Sequence, residues 1–394
     1  MSIFAPLSQA SFRTFWFGMA LSTAGFWMQN ITVTWLMRIW TQGDPLLVSF
    51  VQTAMFLPVM ILSLPAGLIA DRADRQQLLV VAHTVMTITP VIIAGTMLAD
   101  YQSPTLLLLM TIALAAGNAL KLPTQSALLP DLVPASQIPA AVGLNSLAVN
   151  GGRVVGPMIS AGLLPFLGPI VLLFGNALTY FSFIIILLRL KLGRGVIVDR
   201  GRSSLREDLR ELLTFTFTNE NFSAVLLRSG LYFGAWSTVL AILPLIVTDA
   251  SEFGLVYANF GLGSIIGAFA MEPIRRYLGN ELTLNAAILG HAVFIAGLSL
   301  FGSTLLLSAS LLAIGAMSFY AMSAFQIAAQ TILPRHLRGR GLALMTTVMM
   351  GATALSSPFW GLLAELWSPS TALQSAALFS VISLTLTYRK KVIA

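Results

Sequence analysis

Twelve apolar runs, each long enough to cross a bilayer, recur along this chain and constrain its fold more than any other feature. They fall at roughly 12–37, 46–70, 77–99, 104–129, 139–163 and 167–190, and again at 222–248, 254–274, 280–303, 305–333, 341–365 and 368–387. A helix needs about 20 apolar residues to span the hydrocarbon core, and in lipid only helices and closed barrels satisfy their own backbone polar groups. Twelve such helices leave about 140 of the 394 residues for loops and ends, so no large soluble domain fits. Charged residues make up 9% of the chain, against about 25% in a soluble domain, too few to cover a surface in water. The first run lacks the short apolar core and small-residue cleavage site of a secretory signal and is expected to remain as a span. The pattern predicts an all-α, multi-pass membrane protein with twelve transmembrane helices.

The net charge of +7 does not point to nucleic acid, because the basic residues lie in short clusters between apolar runs without interleaved aromatics. They read as topology signals. With twelve spans, one face collects Arg13, Arg72, Arg75, the cluster from Arg189 to Arg210, Arg275, Arg276, Arg335, Arg338, Arg340, Arg389, Lys390 and Lys391, which is 18 of the 22 Lys and Arg. Both termini are therefore expected in the cytoplasm. The chain has no cysteine, which removes disulfides, thiolate metal sites and a cysteine nucleophile. Its three histidines are far apart, and no Walker-type loop or H-x-x-x-H pair is present, so no metal, nucleotide or other cofactor and no enzymatic activity are expected.

The two halves echo each other. Gly67 precedes Asp71, Arg72 and Arg75 at the end of the second run, and Gly267 precedes Glu272, Arg275 and Arg276 at the end of the eighth. Leu129-Pro130 and Leu333-Pro334 recur at a similar offset of about 200 residues. The expected organisation is two pseudo-symmetric six-helix bundles, 1–190 and 222–394, joined by a cytoplasmic connector, 191–221. Repeated halves of this kind build a cavity near the membrane midplane. Within the connector, Ser204-x-x-Glu207 is a capping-box pattern, followed by Leu205, Leu209, Leu212 and Leu213 on one face. It predicts a short amphipathic helix lying on anionic membrane lipids through Arg202, Arg206 and Arg210.

The segment Gly67-Leu-Ile-Ala-Asp71-Arg72-Ala-Asp74-Arg75-Gln-Gln-Leu78 places a glycine for close helix approach, an acid at a helix end and two arginines on the turn. It resembles the cytoplasmic loop signature of the major facilitator superfamily, G-x-L-A-D-R-x-G-R-K-x-x-L. Asp74 stands where that pattern has glycine, and Gln76 where it has a basic residue. The resemblance implies the major facilitator fold, a bacterial inner-membrane location, and a charge-linked conformational latch at Gly67, Asp71, Arg72 and Arg75. In the fifth run, Gly143, Gly152, Gly156-Pro157 and Ser160-Ala161 are similar to the superfamily's antiporter signature. That implies a helix bend at Gly143, Gly152, Gly156 and Pro157, packed against the small-residue face Gly261, Gly263 and Gly267 of the eighth run, and favours export. Pro123-x-Gln125-x-Ala127-Leu-Leu-Pro130-Asp131, Ala141-x-Gly143-Leu144-Asn145 and Arg153-Val-Val-Gly156-Pro157 resemble the branch containing enterobactin exporters and macrolide efflux proteins.

Charge inside a bilayer is costly and usually faces a cavity or a partner. Arg153 lies on the order of 20 Å into its span, too deep to reach headgroups easily, whereas Lys121 and Arg228 lie about 12 and about 9 Å from a cytoplasmic end. No acid falls deep within any span. Three internal cations without internal acids favour an anionic substrate. They also leave Asp71, a titrating substrate, or His83 and His291 as proton carriers. Further candidates to face the substrate are Trp27, Asn30, Asn118, Asn145, Trp236 and Gln326. The expected function is export of a small organic molecule, first an anionic siderophore, by alternating access of a monomer driven by a proton gradient. Macrolide or multidrug efflux, or a lysolipid flippase on the same fold, are the alternatives.

Overall fold

The computed structural model describes residues 4–190, 205–247, 249–300, 302–334, 336–390 and 392. The long helices are α1 (Ala10–Trp40), α2 (Pro45–Arg72), α3 (Arg75–Leu98), α4 (Pro104–Leu128), α5 (Ile138–Arg189), α6 (Leu205–Thr218), α7 (Glu220–Ile246), α8 (Ala250–Leu278), α9 (Asn280–Leu300), α10 (Thr304–Ile332), α11 (Arg338–Leu366) and α12 (Pro369–Thr387). No strand occurs among the described residues. The fold is all-α.

Two apparent departures from the twelve-span pattern have local causes. The fifth and sixth spans are two helices that run into each other at Gly168, where φ is 71° and only glycine is at ease; they are labelled together as the two arms of α5. Pro157 keeps helical φ and ψ within the first arm, and the break at Gly168, between Pro165 and Pro169, is where the fifth span gives way to the sixth. Ten described helices are long and apolar enough to cross a membrane, α5 counted once. Helix α1 falls outside that set because Ser22, Thr23, Gln29, Asn30, Thr32 and Thr34 dilute its hydropathy; all six are buried. Counting α1 and the two arms of α5 gives twelve spans.

The chain divides into two compact units. The first contains α1, the second half of α2, and α3 to α5; the other contains Gly43–Met60, which is the first half of α2, and α6 to α12. In the first unit α1 lies along α5 at a distance that only glycine permits. A Cβ on Gly152 would stand 2.7 Å from Thr23 Cγ2 and 3.1 Å from the Ala24 nitrogen, and one on Gly156 2.9 Å from the Met28 nitrogen. A buried cluster including Phe12, Phe15, Met19, Leu79, Leu144 and Phe183 closes one end. In the second unit α8 and α10 meet in the same way, with Gly267 against Ala316 and Gly315 against Phe260. Gly152 and Gly156 of α5 thus engage α1, and Gly263 and Gly267 of α8 engage α10, each within its own unit.

Helix α6 is present, although Ser204 and the side chains of Leu205, Glu207 and Leu209 lie outside the described residues. Of the predicted leucine face, Leu212 is buried and Leu213 exposed. The helix docks on α7, with Phe215 and Phe222 ring centroids 5.9 Å apart, and leaves Phe217 81% exposed.

Overpacking a close-packed contact costs about 1–3 kcal/mol. Gly156→Ala is expected to lower the melting temperature of the purified protein in detergent, whereas Gly162→Ala, whose Cβ meets nothing within 4 Å, should leave it unchanged.

Candidate functional site

Each unit buries a polar cluster built on its own helices. In the first unit, Lys121 of α4 is fully buried, neither lining an open surface nor reaching headgroups as the sequence suggested. Its Nζ donates to Ser22 Oγ at 3.2 Å and Thr23 Oγ1 at 3.3 Å, both on α1. Ser22 Oγ lies 3.1 Å from His83 Nε2 on α3, and His83 Nδ1 lies 2.8 Å from the Leu79 carbonyl oxygen. A carbonyl only accepts, so Nδ1 carries the proton and Nε2 accepts from the serine hydroxyl. Phe183 and Tyr180 of α5 wall the imidazole, at centroid distances of 4.7 and 6.3 Å. Ser22 was not among the residues singled out from sequence; nothing in its local pattern distinguishes it from the other hydroxyls of α1.

One turn further along α4, Gln125 Nε2 donates to Asn145 Oδ1 at 2.9 Å, which makes Asn145 a tie between α4 and α5. Arg153 follows from the glycine contact. Flanked by Gly152 and Gly156, it is carried against α1, where its Cζ stands 5.6 Å from the centre of the Trp27 ring. Both side chains are half-buried. Asn30 and Asn118 are buried in the same unit at 1% and 7% exposure.

In the second unit Arg228 of α7 pairs with Glu281, bonds Asn285 Oδ1, and donates to the Lys390 carbonyl oxygen at 3.1 Å. Glu281 Oε2 accepts from the Val392 nitrogen at 3.0 Å. Glu281 is the second residue of α9. Arg228 is therefore a neutralised cation tying α7, α9 and the C-terminal residues together, and the expectation that it offers free charge to a substrate is corrected. Tyr232 Oη donates to Ser318 Oγ at 3.1 Å, with the His291 ring 4.9 Å away. Trp236 is half-buried on α7, and its indole N–H meets no acceptor among the described residues. Gln326 is exposed on α10.

The loop between α2 and α3 is built by the residues that depart from the signature. Asp74 is the N-cap of α3, its Oδ1 accepting from the Gln76 and Gln77 nitrogens at 2.9 and 3.1 Å. Gln76 Nε2 donates to the Leu187 and Leu190 carbonyls at the end of α5, at 2.6 and 3.3 Å. Arg75 Nη1 is 3.1 Å from both Asp131 Oδ2 and the Ala127 carbonyl oxygen, capping the end of α4. The side chains of Asp71 and Arg72 lie outside the described residues. Among the described residues a Cβ on Gly67 would meet nothing within 4 Å, so no close helix approach occurs there.

A family profile of the major facilitator superfamily, described as transmembrane secretion effector, matches residues 1–394. The chain belongs to this family. It is a multi-pass membrane transporter of the superfamily and not an enzyme. The staphyloferrin A transporter of Staphylococcus aureus is 23% identical over 68% of this chain and 69% of its own. Macrolide efflux protein A of Streptococcus pyogenes is 24% identical over 73% of each. Among solved structures, the nucleoside transporter NupG shares the fold with a TM-score of 0.72 at 14% identity, covering 96% of this chain and 98% of its own. In this transporter the Arg228–Glu281 pair, whose arginine is buried and whose glutamate is half-buried, has a direct consequence for stability. Removing one partner of a buried pair costs about 3–5 kcal/mol, whereas an apolar replacement of both is often near neutral. Arg228→Met alone should therefore melt well below the wild type, and adding Glu281→Leu should recover most of the loss, read by thermal denaturation in detergent.

Proposed function

We propose that this transporter exports a small organic anion from the cytoplasm by alternating access, driven by proton antiport, with the arginine-rich loops on the cytoplasmic side. The observation that carries the reading is Arg153 over Trp27. Arg228 is neutralised by Glu281, and Lys121 is enclosed by hydroxyls on α1; of the three, Arg153 is the one whose side chain is not fully buried. A guanidinium held against an aromatic face is preorganised to take a carboxylate in bidentate fashion while the ring stacks on the ligand. Staphyloferrin A, named for one relative, fits the siderophore class of the proposed substrate.

Macrolide efflux is the second reading. It is favoured by the other relative, and by the pairing of Arg228 with Glu281 and the enclosure of Lys121 by hydroxyls. In that case the Trp27 ring matters more than the Arg153 charge.

The deciding experiment removes the gene, grows cells under iron limitation, and measures siderophore inside and outside by mass spectrometry. Intracellular retention in the deletion strain, relieved by the wild-type gene, supports export of a siderophore. Arg153→Ala should fail to relieve it, with efflux reduced about tenfold or more, the equivalent of about 1.4 kcal/mol in substrate binding. Arg153→Lys should restore only part, since an ammonium keeps the charge and loses the planar fork. An unchanged siderophore distribution in the deletion strain, with macrolide susceptibility raised instead, decides for the second reading.

A further inference from the structure

Proton antiport requires a group inside the protein that gains and loses a proton. Among the described residues no carboxylate is hydrogen-bonded to the buried polar cluster of the first unit, and the half-buried Glu281 is committed to Arg228. The same unit contains a continuous hydrogen-bonded chain of the required kind: Lys121 Nζ to Ser22 Oγ, Ser22 Oγ to His83 Nε2, and His83 Nδ1 to the Leu79 carbonyl oxygen, at 3.2, 3.1 and 2.8 Å. We propose that Lys121, Ser22 and His83 together form the proton-carrying site of this transporter, a lysine–serine–histidine relay. The proposal rests on the antiport reading above and specifies the site that antiport would use.

The relay is polarised. Each donor points the same way, from the lysine to the imidazole and on to a backbone acceptor. One proton leaves the Lys121 ammonium for Ser22 Oγ as the serine hydroxyl proton passes to His83 Nε2. A neutral amine and an imidazolium remain, the second N–H still held by Leu79. This transfer conserves the charge of the cluster; antiport adds the loss of one proton from His83 Nε2 to water and the uptake of one proton from water by the Lys121 amine.

Depth and surroundings fit this use. Lys121 lies seven residues before the end of α4 and His83 eight residues after the start of α3, so both sit on the order of 10–12 Å from the arginine-loop end of the unit. Gln125, one turn nearer that end and 1% exposed, has an Oε1 that accepts no hydrogen bond among the described residues, the next acceptor along the same helix face. Thr23 on α1 holds the lysine from the other side, and its own hydroxyl donates to Met19 at 2.8 Å. On α5, Tyr180 is the titratable group against the imidazole. The corresponding histidine of the second unit, His291, faces Tyr232, and neither of its ring nitrogens has a partner among the described residues, so that unit carries no equivalent chain.

The test uses the full-length protein labelled with 15N-histidine, which contains only His83, His291 and His336; His83→Gln assigns the His83 signals by their loss. In the wild type, His83 is expected in the Nδ1-protonated tautomer, with Nε2 taking up a proton as pH is lowered. Lys121→Met, similar in volume and uncharged, should move that midpoint by about one pH unit, a tenfold change in proton affinity, and leave His291 and His336 in place. A His83 midpoint unmoved by Lys121→Met, or an Nε2 that does not titrate, overturns the relay. In proteoliposomes, with a macrolide and a carboxylate siderophore as probes, Ser22→Ala and Lys121→Met should keep downhill exchange and lose accumulation against a gradient about tenfold or more. Full uphill accumulation in Ser22→Ala also overturns it. Wild-type protein that moves neither probe counts against the export reading alone, and the histidine titration still decides the relay.

Discussion

No water is available in the hydrocarbon of a bilayer, so every polar group that a span carries must find its partner within the protein. The arrangement of both units follows from that constraint. Helix α1 is less apolar than the other spans, and it turns Ser22, Thr23, Gln29, Asn30, Thr32 and Thr34 inward, where α3, α4 and α5 supply partners for four of them. Gln29 accepts from Asn176, Thr32 lies 3.0 Å from Ser160, and Ser22 and Thr23 take Lys121. The helix that looks least like a membrane segment is the one around which the first unit is organised.

Close approach of backbones makes those bonds reachable. Gly152 and Gly156 bring α5 onto α1, and the residue between them, Arg153, is delivered over Trp27 as a result. A small-residue pattern that resembles an antiporter signature therefore acts here as a positioning device for a cation. In the second unit α8 and α10 use the same physical means, and Arg228 is satisfied by a carboxylate at the very start of a neighbouring helix. Two halves related by sequence repeat thus bury charge differently. One encloses its lysine with hydroxyls, and the other pairs its arginine with an acid.

The α2–α3 loop shows how departures from a pattern can carry structure. Asp74 replaces a glycine and caps α3; Gln76 replaces a basic residue and ties the loop to the end of α5. A glycine at 74 would offer no side-chain acceptor to the first turn of α3, and Gln76 reaches carbonyls more than 110 residues distant in sequence. The match to the signature made the loop recognisable. The mismatches were informative only once their partners were visible.

The sequence by itself determined the number of spans, the repeat, the all-α class and the family, because each is written in local composition and in period: a run of about 20 apolar residues must be a helix in lipid whatever surrounds it. It also identified Arg153, Lys121 and Arg228 as intramembrane cations. The tertiary structure alone decided what each cation meets. Burial and pairing depend on neighbours far away in sequence: Lys121 meets Ser22 about 100 residues earlier, and Arg228 meets Glu281 53 residues later. The junction of the two arms of α5 at Gly168, and the contact of Gly152 and Gly156 with α1, have the same origin. Hydrophobic period fixes which segments enter the membrane, whereas which helix faces meet is set by packing and polar satisfaction between elements, and no local pattern encodes it.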